Sequence, residues 1–302
     1  MFKHLLVPLD GSRLAESALP AAAVLAASLE ASVTLLHIIE RDAPAEIHGE
    51  RHLTRKDEAF AYLEEVAKNA FPPDVKVSTH VHRAEVTDVA RSIVDHTDEL
   101  EPDLIVMCTH GQGGLRDLLA GSIAQQVTGM GATPVLLIRP EEGAQPTPRF
   151  NRILLAMDGK TEHERGLEVV GEMAKKLNAH LHLLTVIETL GTLGGKEAAT
   201  GRLLPSATAA MLDLAEEGAC DHLQTHLDDF AGQGVDVSAE VLRGDPAQVI
   251  AQTAKEEGDR LIVLGTHGKA GTGAFWHGSV APRVLAQTHI PLLLIPVGKP
   301  EV

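Results

Sequence analysis

Aromatic residues make up only 3% of this 302-residue chain, with one Trp, one Tyr and six Phe. So few rings exclude the stacking platforms that hold single-stranded nucleic acid. Cysteine is equally scarce: Cys108 and Cys220 lie far apart and in no CxxC or Cys/His spacing. That rules out a disulfide framework and makes a reducing cytoplasm the expected setting. Basic residues are outnumbered, 26 Lys and Arg against 42 Asp and Glu, for a formal net charge of -16. Non-specific attraction to nucleic acid or anionic membrane is therefore not expected, and any bound phosphate must be held by local dipoles and hydrogen bonds. Long apolar runs are missing too. LPAAAVLAASL at 19–29 is too short to span a bilayer, and MFKHLLVPLDGS turns polar before a signal peptide could form its apolar region. The expectation is a soluble cytoplasmic protein.

What is present is repetition. HLLVPLDGS (4–12) aligns with RILLAMDGK (152–160), LIVMCTHG (104–111) with LIVLGTHG (261–268), and TPVLLI (133–138) with IPLLLI (290–295). The first pair is offset by 148 positions and the others by 157, so the second copy carries nine more residues between its first strand and its glycine-rich loop. A chain that is 44% hydrophobic can fill two cores of ordinary size. RPEEGAQPTPRF (139–150), rich in Pro and charge, reads as an exposed linker with a boundary near 145, giving domains 1–144 and 150–302.

Within the first copy, apolar runs alternate with amphipathic stretches: five strands and four helices. LLVPL and LIVM are apolar at successive positions, as strands buried on both faces are, and helical connections make neighbours parallel. The fold class is thus α/β: two tandem open doubly wound five-stranded parallel sheets, Rossmann-like, with Pro20 expected to kink a helix. Ligands of such sheets bind at the carboxyl ends of strands, where strand order reverses.

The glycine-rich loops sit there. In GTHGKAGTGAFWHGS (265–279), Gly265 ends a strand and lets a ligand approach without meeting a Cβ. Gly268 can turn amides inward, and Gly278-Ser279 offers the free amides and hydroxyl of a helix start. Lys269 could add a point charge. The opposite wall is the first strand, ending at Asp158, a carboxylate suited to a ribose hydroxyl or an adenine amino group. Gly271 and Gly273 are left without a role.

This G-x2-G-x9-G-S pattern, with the strand-end Asp of VPLDGS, resembles the universal stress protein family in its tandem form, over essentially the whole chain. The resemblance implies an adenine nucleotide alpha hydrolase-like fold, with the copies packed as a pseudo-twofold pair through antiparallel edge strands PVLLI and PLLLI, and with room for a further homodimer. It implies binding of ATP, AMP or ADP, with or without magnesium. Carried over, the positions are Asp158, Val186, Leu264, Gly265, Gly268, Gly278, Ser279 and Val280 in the second copy. In the first they are Pro8, Asp10, Ile38, Met107, Cys108, Gly111, Gly121, Ser122 and Ile123. Cys108 departs from the glycine of the pattern. If that glycine has positive φ, Cys108 costs on the order of 1 kcal/mol, and its thiol intrudes on the ligand's path, so weaker binding is expected in the first copy. The second copy has Ala156 for Pro8 and Lys160 where Ser12 could cap a helix.

Other features carry less. GTLGGKE (191–197) lacks the first glycine and the Ser/Thr of a P-loop and reads as a flexible insertion; no GxGxxG follows a first strand. DGSR also lacks the SGGxDS-type loop of adenylating PP-loop enzymes. The pairs His48/His52, His80/His82 and His222/His226 are each half a metal site and read as solvated. His110 and His267 have no nucleophile and orienting acid nearby and are read as loop-shaping. Cys108 could be a redox thiol, but a small buried apolar role fits better. The expected function is an adenine-nucleotide-binding regulatory or stress-response protein. The alternatives are a weak ATPase or self-phosphorylating enzyme built on Lys269, Ser279 and magnesium, and a nucleotide-free scaffold.

Overall fold

Runs that are apolar at every position become strands buried on both faces: Leu104–Cys108 and Val135–Ile138 are buried throughout. The computed structural model describes residues 1–41, 46–47, 50–109, 123–140, 147–159, 165–267 and 279–297. The first half runs β1 (His4–Pro8), α1 (Arg13–Glu16), α2 (Leu19–Leu29), β2 (Ser32–Glu40), a small antiparallel pair β3 (Glu46–Ile47) and β4 (Glu50–Arg51), and α3 (Lys56–Ala70). It continues β5 (Val77–Val86), α4 (Val89–Leu100), β6 (Leu104–Cys108), α5 (Ile123–Met130) and β7 (Val135–Ile138). The second half repeats the plan: β8 (Arg152–Met157), α6 (Arg165–Leu177), β9 (His180–Ile187), α7 (Gly195–Leu203) and α8 (Pro205–Gly232). Then follow β10 (Val237–Arg243), α9 (Pro246–Glu256), β11 (Leu261–His267), α10 (Val280–Gln287) and β12 (Leu292–Val297).

The strands join in the order β10-β9-β8-β11-β12-β7-β6-β1-β2-β5. Every neighbouring pair is parallel except β7 and β12, which pair antiparallel through Leu137↔Leu292, Leu136↔Leu293 and Val135↔Leu294. This is the expected edge pairing, and it fuses the two five-stranded halves into one ten-stranded sheet. Arg139 adds a bond across the join, donating to the carbonyl of Leu285 at 3.1 Å. One apolar layer covers each face and both layers run through both halves: Leu5, Leu35, Leu136, Leu181 and Leu293 on one face, Leu6, Ile105, Leu137, Leu154 and Leu294 on the other.

Chain direction is set locally by caps. Ser12 Oγ accepts from Ala15 N at 3.2 Å, opening α1, while Asp88 and Asp245 carboxylates accept from Arg91 N and Gln248 N to open α4 and α9. Pro20 differs from its expected place. It stands in the first turn of α2, where its missing N–H costs nothing, and divides two helices instead of bending one. GTLGGKE also differs from a flexible insertion: Thr192 and Leu193 amides close a turn on the Thr189 carbonyl, Thr192 Oγ1 bonds Gly244 O at 3.2 Å, and α7 begins at Gly195.

At the amino ends of the second half's strands lies a buried charge group. Asp259 Oδ1 is 3.5 Å from Arg152 Nε, Asp259 Oδ2 is 3.4 Å from His182 Nδ1, and His182 Nε2 is 3.0 Å from Glu240 Oε1. Burial lowers the affinity of His182 for its proton, but the facing carboxylates of Asp259, Glu240 and Glu257 outweigh it and raise the pKa. No helix among the described residues is long and apolar enough to cross a membrane.

Candidate functional site

β1 lies between β2 and β6, and β8 between β9 and β11, so strand order reverses beside the first strand of each half. A crevice opens at that point because the connections leave to opposite faces. In the first half the wall is set by the turn after β1. Leu9 N donates to Leu36 O at 2.8 Å, and the ring of buried His37 stands 2.8 Å by Nδ1 from Leu9 O and 3.1 Å by Nε2 from Leu53 O. Burial pushes the pKa of His37 down against the pull of the two carbonyls; a neutral ring can donate to only one of them.

Asp10 then projects at the strand end. Its Oδ1 accepts from Ser12 N at 2.9 Å and Ser12 Oγ at 2.6 Å, so the carboxylate is held by the same serine that caps α1. Gly11 makes the turn at φ +90°, and a Cβ there would meet Leu53 Cδ1 at 2.8 Å. The second half repeats the device: Asp158 is followed by Gly159 at φ +71°. Only glycine takes this conformation without strain, so the repeated Asp-Gly pair aims an acid at the same place twice.

The crevice in the first half is a solvent-open cavity of about 60 Å³. Pro8, Asp10, Ile38, Met107, Cys108 and Ile123, all singled out by the sequence pattern, line it together. Leu9, Ala15, Val89 and Ile93 complete the walls and carry no motif. Only the apolar spacing of α4 could have pointed to the last two. Apolar walls with one fixed carboxylate suit a flat, largely apolar group whose polar edge donates to Asp10. Gly111, Gly121 and Ser122 lie outside the described residues.

Cys108 is 4% exposed, and burial first, then the Asp10 charge, pushes its thiol up to about 12. It stays protonated and packs as a small apolar side chain, which excludes a low-pKa redox role. Cys108 pairs with Ile138 as Gly265 pairs with Ile295, so the two are structural equivalents. Gly265 is an ordinary strand residue and does not belong to the positive-φ glycines. The backbone penalty expected for a non-glycine residue there does not apply; what separates the halves is the volume of the thiol.

In the second half Asp158 directly follows β8 and is exposed, Val186 is the next-to-last residue of β9, and Leu264 sits opposite Ala156. Ser279 is the N-cap of α10 and Val280 its first residue. Ser279 Oγ is buried, with no hydrogen-bond partner among the described residues. Such a donor is costly to leave unmade. Gly268, Lys269 and Gly278, with Gly271 and Gly273, lie outside the described residues. Nearby, Glu188 is pushed up by burial and by the charges of Glu197 and Asp245, against the pull of Arg283.

Of the histidines, His48 and His110 fall outside the described residues, and His267 is described only as strand backbone. His52, expected on a helix in solvent, is buried and outside any helix. His222 and His226 do face each other on α8, with Nε2 atoms 3.2 Å apart.

The Universal stress protein family model matches residues 1–139 and again 149–296. The universal stress protein Rv2005c of Mycobacterium tuberculosis is 26% identical over 298 residues, covering 95% of each chain. Universal stress protein Sll1654 of Synechocystis is 33% identical over 138 residues, 46% of this chain and 86% of its own. Among solved structures, a universal stress protein from Archaeoglobus fulgidus superposes with a TM-score of 0.68 over 99% of this chain and 97% of its own, at 17% identity. The doubly matched family, the tandem length of Rv2005c and the shared architecture agree with the repeated strand order and strand-end Asp-Gly pair. The chain belongs to the universal stress protein family.

Proposed function

We propose that this protein binds an adenine nucleotide at the carboxyl ends of its strands and acts as a regulatory or stress-response protein. The observation that carries the reading is the convergence of Pro8, Asp10, Ile38, Met107, Cys108 and Ile123 on one crevice. Asp10 takes a ribose hydroxyl or the adenine amino group, and the apolar side chains sandwich the base. In the second half, where glycine replaces the thiol, the nucleotide binds more tightly. Its phosphates lie over Gly268, Lys269 and Gly278, and Ser279 Oγ and the amino end of α10 give them donors. The domains that carry the two sites are 1–144 and 150–302.

Equilibrium binding of ATP, ADP and AMP to the purified protein tests this, beside Asp158→Ala and Ser279→Ala variants. Saturable binding weakened by both variants is expected. No saturable binding up to millimolar nucleotide would sink the proposal. Mass spectrometry of ligand released from freshly purified, denatured protein identifies the nucleotide. Hydrolysis that disappears in Ser279→Ala would move the reading to a weak ATPase.

A further inference from the structure

β5 closes one end of the ten-stranded sheet, and its side chains alternate between two helices. Thr79 Oγ1 donates to Glu64 of α3 at 2.7 Å and Val81 joins the core beneath that helix. His80 and His82 therefore face the other way, toward α4. There they meet His96, which is 3% exposed, with ring centroids 5.0 and 4.9 Å away and both contacts edge-on. One turn further along α4 is Glu99, and ligand atoms of His80, His96 and Glu99 all lie within 4.8 Å of one another.

The tautomers suit metal ligation. His96 Nδ1 is 2.6 Å from the carbonyl of Ser92, which can only accept, so Nδ1 carries the proton and Nε2 presents its lone pair. A backbone carbonyl holding the far nitrogen is the usual orienting partner of a ligating imidazole. His82 Nδ1 lies 3.2 Å from that Nε2. Two ligands on a tetrahedral centre with bonds of about 2.0 Å stand about 3.3 Å apart.

The fold does not require these residues. β10 and α9 occupy the same places in the second half, and VSTHVHR (77–83) aligns there with VSAEVLR (237–243). Counting from the capping Asp88 and Asp245, His96 corresponds to Thr253 and Glu99 to Glu256. The second half thus folds with Glu240, Leu242 and Thr253 where the first carries three histidines.

We propose that β5 and α4 form a site for a divalent transition metal of the zinc class, with His80, His96 and Glu99 as ligands; His82, 3.2 Å from His96 Nε2 but outside that trio, turns onto the ion to complete a tetrahedral set. Three imidazoles and one carboxylate are a borderline-soft donor set that selects Zn2+ over Mg2+ or Ca2+. Glu99 is exposed and free to rotate onto the ion, while His96 is fixed.

Chelator-stripped full-length protein is titrated with Zn2+ against a chromophoric chelator, and with Co2+ as a spectroscopic probe. One equivalent per chain and the intense visible bands of tetrahedral Co2+ are expected. His80→Gln and Glu99→Gln each weaken binding at least about tenfold, as loss of even an orienting partner does. His96→Thr, carrying the residue of the second half, abolishes the Co2+ spectrum. His226→Gln, on α8, leaves affinity and stoichiometry unchanged. The proposal is overturned if the wild type takes no zinc from the chelator, or if His80→Gln and Glu99→Gln bind as it does. Should His96→Thr fail to fold, those two outward-lying variants decide alone.

Discussion

Replacing Cys108 by glycine gives the end of β6 the residue that Gly265 supplies at the same place in β11. The side chain is almost wholly buried, so its removal forfeits about 1–1.5 kcal/mol of apolar burial. Glycine within a strand adds about 0.5–1 kcal/mol through chain entropy. Together, about 2 kcal/mol of stability is lost, a fall in Tm of about 3 °C for a fold of this length. Against that loss stands the gain in the crevice. One misplaced methylene-sized group in a packed pocket is worth about 1–3 kcal/mol, so ATP binding to the first half should tighten by about 10–200-fold. Calorimetric titration of the variant and of the reciprocal Gly265→Cys protein reads both. Cys108→Gly should strengthen the weaker binding phase, and Gly265→Cys should weaken the stronger. If Cys108→Gly is folded and less stable but binds with unchanged affinities, the thiol does not obstruct the ligand and the argument from volume fails.

Other perturbations test the surrounding framework. Gly11→Ala forces a β-carbon onto Leu53 at a left-handed position and should cost at least about 1 kcal/mol in urea unfolding, with weaker nucleotide binding in the first half only. His182 and His37 should give opposite pH effects. The folded pKa of His182 is raised, so its stabilisation is complete below about 6.5 and is lost as pH rises through the folded value; His182→Gln should remove a stability that shows at acid pH. The folded pKa of His37 is lowered, so the fold loses stability as pH falls from about 6.5 through the folded value, and His37→Gln should flatten that acid loss. Thermal unfolding across pH 5 to about 8 separates the two. Asp245 is held low chiefly by its bond to Arg283 while capping α9. Asp245→Ala should cost about 1 kcal/mol at neutral pH, measured by chemical denaturation, with the difference vanishing as pH falls below the usual carboxylate range and through the lowered folded value.

Much of this was legible because local chemistry decided it. The strand beginning at Leu104 and the strand beginning at Val135 are apolar at every position, and no amphipathic alternative competes for them. Ser12 stands where a helix must begin, and it caps. Asp10 and Asp158 could be picked out because each ends an apolar run and precedes a glycine. Legibility failed where tertiary packing chooses. Gly265 was open to two uses, clearance or a left-handed turn, and only strand pairing with Ile295 separates them. Val89 and Ile93 reach the crevice because α4 lies against the sheet there, which no motif records. His80 and His82 looked like half a site because His96 lies on the next helix, and only the docking of that helix on the edge strand brings it near.

The antiparallel seam between β7 and β12 also decides what the molecule can present to others. The five strands that one half gives the sheet run one way and the five of the other run against them, so the carboxyl ends lie along opposite margins of a single continuous sheet. The strand ends of the two halves therefore face opposite ways. Ten hydrogen-bonded strands join the two margins as one sheet.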